Sequence, residues 1–515
     1  MPISAAPAPD AAVLETKVEQ TSWALPPFVF VAFMALAGLG TLTTNPLLTA
    51  ASLLALPLII QLVWRPGEPP ALAFVFVFHW IQTTVKVFYA DMLGVDVSEI
   101  VMFRMMGDYA DLRAAIWLTL AGTLIAAAGV RLAIRSLPPP DREALLAKAR
   151  MFSISRTFWL YLAITLTVTT LLGVVGYMSG LRQIVEALRQ LKWVPYFLLV
   201  YLGLSRREGY GYVITAFAFE FISGIGFFSG FKEVLFVTVI AYFTARSRIT
   251  LGAFAKSAAV VMVMAVIGVA WTVVKPEYRT LIGEKGSQGT TVSQEEQIGL
   301  LVSLLSQLDR DALAQGFEPL VDRLSYVDFF AYTLEFVPAV LPHEDGALWG
   351  AAVKHVSMPR ILFPNKPPIV SDSEITNRYT GLLVAGQDEG TSFSIGYMAE
   401  SFVDFGPWLM FFPIFLSGLV RGWMYRYYVR VHEFSQVEGI QLLGYGFAIA
   451  LFSRWYTLEA ATGKLLGAVL MQFIVLTLLF RFVGPSIISW LRNEPEASEE
   501  LDERVVEVPM QQAWT

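Results

Sequence analysis

Residues 252–274, GAFAKSAAVVMVMAVIGVAWTVV, decide the fold class. One charge, Lys256, interrupts an otherwise apolar and weakly polar run. Coiled as a helix rising about 1.5 Å per residue, a run of this length crosses a hydrocarbon core about 30 Å thick. Working outward, comparable runs fall at roughly 25–41, 46–64, 70–90, 113–135, 157–178, 191–204, 211–229, 232–245, 396–420, 437–457 and 464–488. The reading is an all-α polytopic membrane protein with about twelve transmembrane helices. Composition agrees: 55% of the 515 residues are apolar and 16% charged, against about 25% charged in globular chains, and the mean hydropathy is +0.57.

The connections between runs alternate in charge. One set carries Arg65; Arg131, Arg135, Arg142, Lys148, Arg150 and Arg156; Arg206 and Arg207; Arg246 and Arg248; and Arg421, Arg426 and Arg430. The other set holds the acidic segment Tyr89 to Asp111 and the long segment 275–395. Short basic loops face the cytoplasm, so both termini are expected inside and the long loop outside. The expected organisation is a cytoplasmic tail (1–24), a bundle of about nine spans (25–274), an extracytoplasmic loop region (275–395), three further spans (396–490) and an acidic cytoplasmic tail (491–515). The N-terminal segment lacks a basic region ahead of the first apolar run, so that run reads as an uncleaved span. The net charge of −6 owes part of its sign to the tail sequence NEPEASEELDERVVE, residues 493–507. There are no cysteines, which removes disulfides, thiolate metal sites and a Cys nucleophile. Nine spans before the loop and three after it argue against the matched halves of many transporters.

The long loop is itself structured in this reading, since about 120 residues exceed the usual length of an irregular connection. Residues 292–315 read as one amphipathic helix with Ile298, Leu301, Leu305 and Leu308 on a face, and 317–340 as another, ended by Pro338. Prolines 359, 364, 367 and 368 then punctuate the chain.

Ionisable residues gather at the outer ends of the runs: Lys86, Arg113, Lys232, Glu233, Lys275, Glu400, Asp404, Arg454, Glu459 and Lys464. Each is costly in hydrocarbon, about 2.5–3.5 kcal/mol at the bilayer centre, and together they suggest an outward-opening polar cavity. Glu400 and Asp404, four residues apart, share a helix face; they suit a general base or ion-paired anchors, or simply favour a helix N-terminus. Arg454 needs an anionic partner, a phosphate or Glu459. Glu220 is expected to hydrogen-bond inside the bundle. The loop adds Lys354, His355, Arg360, Lys366 and Arg378; arginine forks suit a diphosphate, while a plain solvated basic loop is the simpler alternative. No nucleotide-binding or metal-ligand spacing is present, so no cofactor and no metal are expected, and nucleic acid is not an expected partner.

Met358 to Pro368 (MPRILFPNKPP) and Gly396 to Gly406 (GYMAESFVDFG) resemble the oligosaccharide repeat-unit polymerases, the Wzy-type O-antigen and exopolysaccharide polymerases. The family's Pro-Arg, Pro-x-Lys-Pro and G-x3-E-x4-F-G elements fall on Pro359-Arg360, Pro364 to Pro367, and Gly396, Glu400, Phe405 and Gly406. Ser229-Gly230-Phe231-Lys232 departs from the family's Ser-Gly-Ser-Arg, keeping charge and losing the bidentate fork. The resemblance implies a glycosyltransferase of the inner membrane. It would transfer a glycan from undecaprenyl diphosphate to a second lipid-linked repeat, with chain-length regulator and flippase proteins as partners. It implies diphosphate binding by Arg360, Lys366, Arg378, Lys232 and Arg454, with Glu400 first and Asp404 second as the group acting on the acceptor hydroxyl. A ligase-like transferase with the same donor, a lipid-linked oligosaccharide flippase and a scaffold are the competing readings.

Overall fold

The structure, a computed structural model, describes residues 25–65, 67–102, 110–137, 140, 142–175, 179–224, 231–246, 251–283, 292–358, 363, 365–386, 392–430, 437–453 and 458–492. The described residues form helices and no sheet. Among the described residues, six helices are long and apolar enough to cross a membrane: Pro46–Val63, Ala71–Leu93, Leu112–Ile134, Ile154–Val175, Ala259–Ile282 and Thr462–Phe482. The expected spans at 25–41, 191–204, 211–229, 232–245 and 437–457 appear as shorter described helices of 13 to 15 residues, about 20 Å each at 1.5 Å per residue.

The run 396–420 is not one straight span. Helix Gly396–Leu409 and helix Phe411–Val429 meet at 118°. Gly406 adopts φ 69° and ψ −175°, outside the helical region, and Pro407 follows it. A residue before proline is driven out of the α-helical region, and only glycine takes this positive φ cheaply. The two glycines of the G-x3-E-x4-F-G stretch therefore bracket one helix: Gly396, at φ 81°, opens it and Gly406 breaks it. A Cβ on Gly396 would lie 2.7 Å from the Leu458 carbonyl.

Helices Leu112–Ile134 and Phe411–Val429 run parallel in backbone contact. Gly129 faces the backbone of Phe415, Gly418 and Leu419, Gly418 faces the Ala126 carbonyl, and a Cβ on Gly422 would sit 2.8 Å from that of Ala133. Small residues allow this approach, which drives helix association where lipid removes the hydrophobic incentive.

The two ends of the bundle differ. At one end arginines cap backbone carbonyls: Arg426 donates to Ala133 O (3.0 Å), Arg206 to Phe152 O (2.6 Å) and Arg156 to Arg492 O (2.7 Å). Nearby Glu68, 2% exposed, pairs with Arg65 (3.3 Å) and accepts from Tyr425 Oη. Burial pushes its carboxyl up to about 7, with Arg65 and Tyr425 acting the other way.

The opposite end carries the 292–395 helices. They are shorter than expected. Helix Gln294–Ser306, opened by a Ser293–Glu296 capping box, stops before a second helix, Arg310–Gln315. Asp309 caps that helix by accepting from Ala312 N–H, so Asp309 is what splits the expected 292–315 helix. Likewise 317–340 divides into Phe317–Leu324 and Asp328–Phe336. The first segment packs back on the bundle: Leu301 and Leu304 bury against Trp271, Tyr278 and Ile282. That packing carries the preceding helix on to Ile282, through Pro276, past the expected end at 274. Lys86, 1% exposed, ties the second segment down through Asp328 (2.6 Å) and Asp322 (2.9 Å). Glu220 is buried with Lys192 and Tyr161 as its partners.

Candidate functional site

Irregular backbone meets around the middle of helix Ala71–Leu93. Gln82 there accepts Tyr326 N–H on its carbonyl (3.1 Å) and Leu458 N–H on its side chain (2.7 Å). Tyr397 N–H reaches Ala460 O (3.1 Å), and the Tyr326 hydroxyl donates to Ser394 O. Three connecting segments thus converge at the depth of one helix midpoint. Non-helical backbone at such depth persists only where protein or a wet cavity satisfies it. Helix Asp372–Thr380 braces the same place: Thr376 Oγ1 donates to Phe393 O (2.9 Å), and Ser373 Oγ accepts Phe393 N–H (3.0 Å).

Acids surround this junction. Glu400, 3% exposed, accepts Thr462 N–H at 2.8 Å, where helix Thr462–Phe482 begins. Asp372 takes Lys464 Nζ and Ser392 Oγ on one oxygen, while its Oδ1 is buried without a protein partner. The charges of Glu459, Asp372 and Glu400 all act on Tyr326. Burial, then Glu459, pushes the Tyr326 phenol well above its ordinary value, so it stays a hydrogen-bond donor at any physiological pH.

Cations gather beside the acids. Lys275 lies in the fields of Arg323, Arg279 and Lys232, and Arg323 in turn feels Glu459. Arg323 Nη1 donates to Thr272 Oγ1 at 3.1 Å, which draws helix Phe317–Leu324 against helix Leu251–Ile282. Cations gathered around Lys275 favour an anion nearby, and guanidinium forks favour one with several oxygens.

Of the residues singled out from sequence, Glu400, Glu459, Lys464, Lys275 and Lys232 reach this junction. Asp404 and Glu400 are both buried on one helix, yet their oxygens serve different elements. Asp404 accepts Leu348 N–H (3.0 Å) and Trp349 N–H (2.8 Å) and so caps helix Ala347–Val356 from outside. Lys366 donates to His355 O (3.0 Å), at the other end of that helix, where a cation suits the dipole. Arg378, 61% exposed at its side chain, pairs with Glu344 (3.0 Å). Arg360 and Arg454 lie outside the described residues. The loop does fold back over Glu400 in part: Asp372 binds Lys464, and Ala352 lies beside Gly463. Of the nearby aromatics, Phe329, Phe330 and Tyr379 are buried, Trp408 is exposed and Tyr326 stands among the acids.

The residues missed are Arg279, Arg323 and Asp372. Lys275-Pro276 reads as a helix stop, which hides the i, i+4 pair Lys275 and Arg279 on one continuing helix. Arg323 sits in an amphipathic helix where a charge reads as ordinary solvation.

No curated protein and no solved structure matches this chain. A family model does match, over residues 74–434. That interval takes in Gln82, the cation group, Tyr326, Asp372, Glu400 and the helical break at Gly406, and the chain belongs to this family, described as a domain of unknown function (DUF8712).

Proposed function

We propose that the protein is a membrane glycosyltransferase that polymerises oligosaccharide repeats carried on a lipid diphosphate, working at the outer face of the inner membrane. The observation that carries this reading is the cation group Lys275, Arg279, Arg323 and Lys232, linked through Arg323 and Glu459 to the acids Glu459, Asp372 and Glu400 that surround Tyr326. Glycosyl transfer needs both. The bond from the anomeric carbon to the diphosphate oxygen breaks as the bond to the acceptor hydroxyl forms. Negative charge grows on the departing diphosphate, where fixed cations lower the barrier. The hydroxyl proton goes to a base, for which buried Glu400 is the candidate. Asp404, Lys366 and Arg378 become positioning residues, holding helices Ala347–Val356 and Asp372–Thr380 over the junction.

The finer topology belongs to the same proposal: about twelve spans, both termini cytoplasmic, and the 275–395 region outside. The belt of arginines on one end supports it through the cytoplasmic bias of basic loops, as does the placement of the cation and acid groups toward the other end. The segments meeting at Gln82 favour a second reading, transport of the lipid-linked oligosaccharide, because broken helices commonly line transporter sites.

Purified protein in vesicles with lipid-linked repeats separates these readings. The transferase reading expects polymer ladders without other proteins, and Arg323→Ala to abolish them while the protein stays folded. Movement of intact repeats across the vesicle, with no ladder, would replace it with transport. Ladders appearing only when a distinct acceptor such as a lipid A core is added would make it a ligase.

A further inference from the structure

A second polar site lies at the opposite, basic end of the bundle and plays no part in the reaction proposed above. Helices Arg142–Arg150, Trp193–Arg206, Tyr210–Ser223 and Phe231–Ala245 contribute walls to an open cavity of about 360 Å³. Its polar lining includes Arg207, Arg246, Ser205 and Tyr242, and its apolar lining Leu146 and Leu204. The Ser205 Oγ and Tyr242 Oη atoms are shielded from solvent and have no partner in the protein. A buried hydroxyl left unpaired is destabilising, so two facing one cavity mark a place that a ligand or water completes.

The cations here are deployed unlike their neighbours. Arg206 is consumed, donating to Phe152 O and pairing with Glu208. Arg207, the next residue, holds a left-handed conformation at φ 59° that ends its helix. Arg246 lies over the Tyr242 ring at 4.8 Å; a guanidinium stacked in this way keeps its in-plane N–H groups for an acceptor. Among the described residues no carboxylate is paired with Arg207 or Arg246.

Two guanidinium groups, two hydroxyl donors and no acid make a site for a tetrahedral oxyanion. We propose that this cavity binds a phosphate group, namely the headgroup phosphate of an anionic phospholipid. The apolar walls of Leu146 and Leu204 and the position at the ends of apolar helices favour the lipid over free phosphate, as in basic pockets between membrane helices that hold anionic headgroups.

The test is titration of the purified full-length protein with short-chain phosphatidylglycerol, phosphatidylcholine or inorganic phosphate, followed by native mass spectrometry and thermal stability. Phosphatidylglycerol is expected to bind and stabilise where phosphatidylcholine does not. Arg207→Gln or Arg246→Gln should weaken it roughly 10-fold each, the value of one charge-assisted contact. Tyr242→Phe, which keeps the ring and the fold, should weaken it a few-fold. If inorganic phosphate alone stabilises and competes, the site stands with a soluble phosphate as its source. Equal binding of both lipids, or an unchanged affinity in the Arg207→Gln/Arg246→Gln double variant, overturns the proposal. Neither result touches the transferase reading, whose residues lie at the other end.

Discussion

The two ends of this bundle use arginine and lysine in opposite ways. At the basic end Arg156, Arg206 and Arg426 each donate to a backbone carbonyl of another segment. These cations are spent on the protein itself and hold the connections together. At the loop end Arg323, Arg279 and Lys232 all act on Lys275, so like charges gather around one half-buried ammonium. Similar side chains therefore act as staples in one place and, under the proposed function, as a receptor in the other. What distinguishes them is the partner within reach, not the residue type.

The comparison can be broken at four points. The largest effect is expected at Lys86, a buried cation of the loop end paired with Asp328 and Asp322. Lys86→Met leaves Asp328 buried without its counter-ion, which costs about 3–5 kcal/mol. Thermal unfolding in detergent measures it, and adding Asp328→Asn should recover most of the loss. A single-variant cost below about 0.5 kcal/mol, the range of plain surface changes, would mean the tie does not hold the loop helices down.

Next comes the receptor. Lys275→Ala and Arg323→Ala should each lower polymer formation by about 10²–10³-fold, the value of one transition-state contact. The melting temperature of Lys275→Ala should be unchanged or raised because like-charge repulsion is relieved, and that of Arg323→Ala slightly lowered by loss of the bond to Thr272. Full activity in both would remove the cation group from the site.

Glu68 tests the basic end by pH. Its carboxyl is raised from the usual value to about 7 by burial, so the folded state holds the proton more tightly than the unfolded chain. Stability from this group is full below pH about 4.5 and declines as pH rises through about 7, by on the order of 2–3 kcal/mol in all. Glu68→Gln should flatten unfolding free energy between pH 5 and 8. A slope unchanged in the variant would show that Glu68 does not titrate there.

The smallest effect is expected for a staple. Arg426→Gln removes a charged donor from Ala133 O and should cost about 1.5–3 kcal/mol at most, with turnover per folded molecule unchanged. A turnover loss comparable to that of Arg323→Ala would erase the distinction between the two ends.

The existence of the apolar helices was legible because length and hydropathy are local properties. Residues 46–64, 70–90 and 464–488 appear close to their expected bounds as Pro46–Val63, Ala71–Leu93 and Thr462–Phe482. The bend at Gly406 was written only in the dipeptide Gly-Pro, inside a run apolar enough to read as straight. Pairing was the less legible part. Lys86 and Asp328 are 242 positions apart, and nothing in their neighbourhoods names the other. Glu400 was found because a carboxylate inside an apolar run is conspicuous, whereas Arg323 was invisible because a charge on a polar helix face is ordinary. Asp404 drew notice for the same reason as Glu400, and only the structure shows which helix start each serves: Leu348 and Trp349 N–H for Asp404, Thr462 N–H for Glu400.

The glycine seam between Leu112–Ile134 and Phe411–Val429 limits how this protein can move. Helices slide past one another on a layer of side chains that exchange rotamers, and at Gly129, Gly418 and Gly422 that layer is missing. The pair must travel as one rigid strut. Relative motion then falls to elements outside this pair, and even the unwound stretches at 392–395 and 458–461 are tied in place by Tyr326, Ser373, Thr376, Gln82 and Tyr397.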